Sequence, residues 1–374
     1  MKIALTITSL FFCILNGNAQ AVRKYSNEFM KIGVGARGIG LGNTAVAAID
    51  DITAAYYNPA GLTQLNSNFE IGLMHNEYFG GIAKYDYGAI AIPMLQKKQV
   101  LAFSFLRLGV DNIANTLNLV NVDGTVDYNK VTLFNVADMA FLASYARKIG
   151  KDDKWSIGGS AKIIHRSYGG FSYAWGFGLD LGAQYRNKNL KLGIMAQDIT
   201  STFNAWAFNF TEDQKQTFRN TGNEIPTSSL EITTPTLRIG GAYIFHVKQD
   251  KLSIEPSLEF ISHFDGRRNV LIRTYPMSFD LSAGLEFNIF KVFYLRTGIY
   301  NIQQATNDSG QYYTSVQPNI GAGLKFKPVT IDYTYSNLGS TQTSGVGLYS
   351  HVISLNIHLK RKEEKAPNEA IAPK

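Results

Sequence analysis

The feature that most narrows the possible folds is an alternation of period two that begins near Asn68 and runs almost to the end of the chain. In a strand, residues i and i+2 share a face, so such alternation sorts side chains onto the two sides of a sheet. Between Tyr173 and Arg186 the odd positions hold Tyr173, Trp175, Phe177, Leu179, Leu181, Ala183 and Tyr185. The even ones hold Ala174, Gly176, Gly178, Asp180, Gly182, Gln184 and Arg186. The division recurs over 252–260, 277–289 and 352–359, with Glu255, Glu259, Asp280 and Glu286 confined to the less greasy face. A large apolar row bracketed by aromatics and backed by small or polar residues is the pattern of a strand between lipid and a lumen. A soluble sandwich alternates too, but its outer face carries abundant Lys, Glu and Thr rather than Gly, Ser and Ala.

Strands are expected near 68–76, 84–94, 99–109, 134–147, 155–166, 172–186, 190–199, 236–247, 252–264, 277–289, 292–302, 315–326, 329–337 and 350–360. That makes about fourteen, each near the ~10 residues a tilted membrane strand needs. The connections 95–98, 148–154, 187–189, 248–251, 290–291 and 327–328 are tight, while the intervening ones are longer, 110–133 and 200–235 most of all. Short turns on one rim and long loops on the other describe an even-stranded barrel with both chain ends periplasmic. Closure also removes the edges that so large a sheet would expose. The expected fold class is all-β: a transmembrane outer-membrane β-barrel of about 14 antiparallel strands, over 67–360.

Ahead of the strands, residues 29–65 set Gly33, Gly35, Gly38, Gly40 and Gly42 among small apolar residues, pass the acidic pair Asp50 and Asp51, and end in Asn58-Pro59-Ala60-Gly61-Leu62. Glycine at nearly every second position lets backbones approach closely at an entropic cost that a free loop has no reason to bear, so the segment is expected to be buried. A residue before proline is pushed out of the helical region, so Asn58-Pro59 closes a short helix expected over 51–57. Gly38-Ile39-Gly40-Leu41-Gly42 approaches a dinucleotide fingerprint, but that motif requires a preceding buried strand and a βαβ unit, and neither is present.

This stretch resembles the N-terminal hatch of the FadL-like outer-membrane barrels. It resembles more closely the start of the PorV/PorQ family of type IX secretion proteins, through residues 31–37 with Arg37, 40–42, 45–48, Asp50, Asp51 and 57–62 with Asn58, Pro59, Ala60 and Gly61. The resemblance implies a FadL-like barrel with residues 22–66 as a hatch inside its lumen. It also implies a non-enzymatic role in type IX secretion, the partners being a large translocon barrel and cargo proteins with C-terminal sorting domains. The FadL side of the resemblance implies instead a passive transporter of a hydrophobic small molecule.

Residues 1–21, with Lys2, an apolar core over 3–15 and small residues near Ala19, read as a secretory signal peptide. The single cysteine, Cys13, lies within it, so disulfide and thiol chemistry are not expected. The net charge of +7 raises nucleic acid as a partner, but the cations sit in turns and in a polar tail over 361–374, expected to be periplasmic, and an exported chain seldom meets nucleic acid. The expected location is the outer membrane of a Gram-negative, Bacteroidota-like bacterium, with its lipid as a partner. No GxSxG, HExxH or Cys/His metal spacing occurs; no metal or cofactor is expected. His263 with Asp265, or His351 beside Ser350, are the pairs a rim hydrolase could use.

The acidic residues of the lumen face, Asp180, Asp198, Glu255, Glu259, Asp280, Glu286 and Asp332, are expected to pair with Lys162, Arg166, Arg186, Arg238, Arg296 or Arg37, because an unpaired charge in a partly dry lumen is costly. The connection 201–235 carries Phe203, Trp206, Phe208, Phe210 and Phe218 among polar residues. Aromatics at that density argue against disorder and mark either a partner-binding loop or a lid folded over the barrel mouth.

Overall fold

The computed structural model describes residues 26–95, 97–121, 123–248, 251–306, 309–337 and 349–360. The expected signal peptide and the polar tail lie outside them. The strands are β1 Phe69–Tyr78, β2 Ala83–Met94, β3 Gln99–Asn115, β4 Thr132–Ile149, β5 Trp155–Tyr168, β6 Ser172–Asn187, β7 Leu190–Gln197, β8 Phe203–Phe208 and β9 Ser228–Ile232. They continue with β10 Thr236–Tyr243, β11 Phe245–Lys248, β12 Leu252–His263, β13 Ile272–Arg273, β14 Ser278–Ile289, β15 Phe293–Thr306, β16 Tyr312–Phe326, β17 Val329–Asn337 and β18 Tyr349–Leu359.

Every pairing is antiparallel, and β1 pairs with both β2 and β18, so the sheet closes on itself. β7 with β8, and β9 with β10 and β11, each form one interrupted traverse, and β13 is a two-residue spur on β14, which leaves the 14 traverses of a closed barrel. The expected strand positions are all occupied. The connection 200–235, expected as a loop, proves to be partly sheet: β8 continues the pairing with β6 where β7 stops, and β9 pairs with β8. Between these two strands, Thr211 and Gln214 form a reciprocal capping box on the helix Glu212–Asn220. Among the described residues no helix is long and apolar enough to cross a membrane; the strands carry the apolar surface.

The distribution of side chains is inverted relative to a soluble protein. Leu73, Phe103, Phe141, Ile163, Leu181, Leu258, Leu295, Ile320 and Ile353 are exposed on the outer face, while Glu259, Lys162, Asp180, Arg296 and Asp332 are buried on the inner one. Residues 26–67 account for that burial. They hydrogen-bond to inward-facing groups all round the wall, from Ser156 of β5 through Glu259 of β12 and Glu286 of β14 to Ser354 of β18.

The wall makes room for this segment with glycine. Gly158 and Gly182 face each other across β5 and β6, Gly193 and Gly240 across β7 and β10, and Gly284 and Gly298 across β14 and β15. A Cβ on Gly193 would stand 2.3 Å from the Val46 carbonyl oxygen, and one on Gly298 would stand 2.2 Å from the Gly42 nitrogen. Both lie far inside van der Waals contact, so only glycine lets the segment's backbone lie flush on the strands. Gly193→Val is therefore expected to leave barrel closure intact, read as retained heat-modifiable migration on a gel, while exposing residues 41–46 to protease. Unchanged protection of that stretch would count against the glycine tier as the seat of the segment.

Candidate functional site

The N-terminal segment meets the wall through two unlike surfaces. Toward β1–β5 the contact is apolar: Val34, Ile52, Tyr57 and Leu62 join Met74, Tyr85, Leu106, Leu142 and Ile164 in one buried cluster. Toward β6–β17 it is ionic. Arg37 forks onto Glu286 at 3.0 and 3.2 Å and reaches Asp50 and Asp51. Arg296 joins Glu286 to Asp332 at 2.7 and 2.6 Å, and Lys191 holds both oxygens of Glu255 at 2.7 and 2.9 Å. Asp50 also meets Arg186 at 3.4 Å and Lys191 at 3.5 Å.

The pairing expected of the lumen carboxylates is found for Asp180 and Asp198 on Lys162, Glu259 on Arg238, and Glu286 and Asp332 on Arg296. Glu255 instead takes Lys191, and Arg166 takes Asp138 and Glu231, partners that lay outside the expected set. Asp280 pairs with no cation among the described residues.

Asn58, 1% exposed, adds a neutral lock on the β6–β7 part of the same side. Its Nδ2 lies 3.0 Å from the Val46 oxygen and 3.2 Å from those of Ala183 and Ile194, while its Oδ1 accepts from the Ala60 N–H at 3.2 Å. One amide thus ties the segment to itself and to β6 and β7. The local helix is shorter than expected, Ala54–Tyr57, because Asp51 instead turns its carboxylate onto the N–H and hydroxyl of Thr53. Pro59 opens a 3₁₀ helix, Pro59–Gln64, that carries Ala60 and Gly61 against β4, β5 and β6. Gly33, Gly35 and Gly42 adopt positive φ, whereas Gly40 lies in the helical turn Ala36–Gly40 against Thr334.

Two cavities flank this plug along the ionic wall. One, of 330 Å³, opens toward the long-loop rim and is lined by hatch residues such as Lys31 and Tyr56 together with Arg238, His263, Asp280 and Tyr300. The other, of 210 Å³, opens toward the short-turn rim and contains Arg37, Asp50, Glu255 and Arg296. Both are lined by β12, β14 and β15, and the residues between them on those strands are Ser257, Glu259, Gly284 and Gly298. Here residues 41–46 cross as a strap. Glu259 accepts from the N–H groups of Ala45 and Val46 at 2.8 and 2.9 Å, Arg238 donates to the Asn43 carbonyl at 3.0 Å, and Thr44 meets Ser257 at 2.6 Å. Six backbone residues, held by these bonds and by those of Asn58 and Gln184 to the Val46 carbonyl, lie between one cavity and the other.

The five aromatics of the 201–235 connection do not come together as one surface. Phe203 faces outward from β8, and Trp206 is buried against Tyr168 and the Arg166 guanidinium. Phe208, Phe210 and Phe218 form a separate partly buried stack. Neither hydrolase pair is joined by a side-chain hydrogen bond among the described residues. Asp265 is held by Arg268 at 2.7 Å, while Ser350 points inward and His351 outward to the Tyr333 hydroxyl. No group of His, Cys, Asp and Glu with metal-binding geometry occurs among the described residues.

No protein-family model matches the chain, and no curated protein matches it. Among solved structures it is similar to CymD, a monoaromatic hydrocarbon channel, with a TM-score of 0.53 and 13% identity over 88% of this chain and 98% of that one. It is likewise similar to the toluene transporter TbuX of Ralstonia pickettii, with a TM-score of 0.52 and 14% identity over 87% and 98%. A third is the toluene transporter TodX of P. putida, at 0.51 and 13% over 88% and 99%. The fold is that of the FadL-like outer-membrane barrels. None of these three is a PorV/PorQ protein, so the finer resemblance rests on the hatch sequence.

Burial alone would raise the Asp50 carboxyl, but the charges of Arg37, Lys191 and Arg186 outweigh it and hold it well below the usual carboxylate range. A lowered folded value means the contribution is complete above the unfolded value near ~3.9 and is lost as pH falls through the folded one. The difference in hatch protease protection between the native chain and Asp50→Asn is therefore expected to be constant from about pH 8 to 5 and to shrink only in acid below about pH 4. A difference that vanished already at neutral pH would refute the assignment. Asn58→Ala removes the amide that ties Val46 to β6 and β7, a loss of about 1 kcal/mol for a buried hydrogen bond even though Gln184 still donates to the Val46 oxygen, and raised single-channel conductance is its expected signature.

Proposed function

We propose that this protein is a passive outer-membrane transporter for a small, hydrophobic molecule. The molecule is received at the long-loop rim, which faces outside and beside which the described N-terminal residues Ser26 to Glu28 lie against Glu231, Thr233 and Arg268, and released at the short-turn rim, which faces the periplasm. The observation that carries the reading is the pair of cavities on one wall with a single thin partition between them. A channel that opens by moving a six-residue strap needs no change in the barrel. The likeness of the fold to channels and transporters named for toluene and monoaromatic hydrocarbons supports the same reading, whereas nothing comparable supports a secretion role. The hatch is the closing element in this proposal, and conversion of substrate is no part of it.

A second reading has one observation in its favour. The run of residues 31–37 and 57–62 resembles PorV/PorQ hatches more closely than FadL ones, and it keeps a docking role beside a translocon barrel, with secreted cargo, as the alternative. The aromatics Phe203 to Phe218 are the loop such a partner would meet.

Expression in a Gram-negative host lacking its own FadL-type barrel is expected to raise the rate of naphthalene accumulation several-fold. Arg37→Ala is expected to raise it further, since removing one partner of a buried pair costs about 3–5 kcal/mol and here loosens the hatch. Accumulation equal to that of the empty host, with a large barrel or cargo recovered by crosslinking from the native membrane, would replace the transporter by the secretion reading.

A further inference from the structure

The outer cavity is built for more than hydrocarbon. Its aromatic content, Tyr56, Tyr57, Tyr78 and Tyr300, provides flat apolar faces, and its 330 Å³ exceeds the ~150 Å³ that accommodates one benzene ring, leaving space for two fused rings. The polar groups among those rings are of two kinds. The cations are taken: Lys31 by Glu28, Arg268 by Glu28 and Asp265, and Arg238 by Glu259. A second set lacks partners. Ser282 is 2% exposed and its hydroxyl has no hydrogen-bond partner, and His263, 8% exposed, forms no side-chain hydrogen bond to a described residue. Asp280 accepts only the adjacent Leu281 N–H and pairs with no cation among the described residues.

These three lie together. Across the β12–β14 ladder His263 stands opposite Ser278, Ile261 opposite Asp280 and Glu259 opposite Ser282, so Asp280 is the diagonal neighbour of His263 and sits two residues from Ser282 on the same inward face. A buried polar group with unfilled hydrogen-bonding capacity is costly, and a row of three around one cavity, Ser282 and His263 buried and Asp280 half-buried, is relieved by a molecule that brings its own hydrogen-bonding group.

We propose, on the basis of the transporter reading, that this cavity binds a neutral hydroxylated aromatic, a phenol-class molecule of one or two rings. The hydroxyl donates to the Asp280 carboxylate and accepts from Ser282 or His263, and the rings lie among the tyrosines. A carboxylate ligand is disfavoured because every cation at the cavity already has its counter-charge and Asp280 would repel it. A plain hydrocarbon fits the space but leaves the three polar groups unanswered.

The test uses the full chain in detergent, with 1-naphthol, naphthalene and 1-naphthoate titrated calorimetrically. The expected result is that 1-naphthol binds about tenfold or more tightly than either of the others, the margin expected of a hydrogen bond to a charged acceptor. Asp280→Leu and Ser282→Ala are expected to erase that preference, and retained heat-modifiable migration on a gel shows that the variants are folded barrels. Equal binding of naphthol and naphthalene, strongest binding of naphthoate, or a preference that survives Asp280→Leu would each overturn the site. Failure of the transporter reading looks different. Naphthol would then bind with the predicted preference yet accumulate no faster in barrel-bearing cells, whereas accelerated naphthalene accumulation without hydroxyl preference would spare transport and overturn this site alone.

Discussion

The seating of the N-terminal segment in the lumen depends on backbone meeting backbone. Where residues 41–46 lie on Gly193 and Gly298, the nearest atoms on both sides are backbone, so no side chain can rotate aside to loosen the contact. The fit is set by the strands themselves, which closure of the sheet makes stiff. The buried charges follow from the same geometry. A lumen wide enough to hold a segment of some forty residues presents many inward positions, and lipid outside forces the polar ones there. Each charge so enclosed requires a partner, and the hatch supplies several, with Arg37 and Asp50 at the centre of the network.

The two unlike faces of the hatch give it a preferred side on which to loosen. Its apolar face toward β1–β5 is held by area removed from water, a contact that does not depend on salt or titration. Its ionic face, where both cavities lie, is held by pairs that water can replace once it enters. The proposed solute path, placed on that face, would join the cavities with the smallest disturbance of the rest.

Much of this was legible in the sequence, and the gaps have identifiable causes. The strands were readable because lipid on one side and a packed lumen on the other impose strict alternation. That reading failed at β8 and β9, where six residues, 197–202, face three, 178–180, and the bulge breaks the period at the point where the pattern was being followed. The capping box of Thr211 and Gln214 was a local signal of the helix that lay inside the supposed loop. In the hatch, glycine spacing and Asn58-Pro59 marked burial and a turn. What they could not give was which wall residues received them, because Ala36 with Ser354, or Arg37 with Glu286, are joined only once the whole ring is closed. Lys191 was missed as the partner of Glu255 for the same reason: it opens a strand beside a tight turn, where a lysine reads as solvated.

The place of the hatch in the chain bears on assembly. The segment leads into β1 within a few residues, with Ser67 bonded to Glu70 and the Asn68 N–H to the Leu359 carbonyl, and β1 is one side of the seam whose other side, β18, follows every other strand in the chain. The ladder between them cannot form until all the strands between have been made, and once formed it shuts the ring. A segment not already within the curved sheet at that moment is left outside, so residues 26–67, made before any strand, must wait, still tethered, for β18 to enclose them.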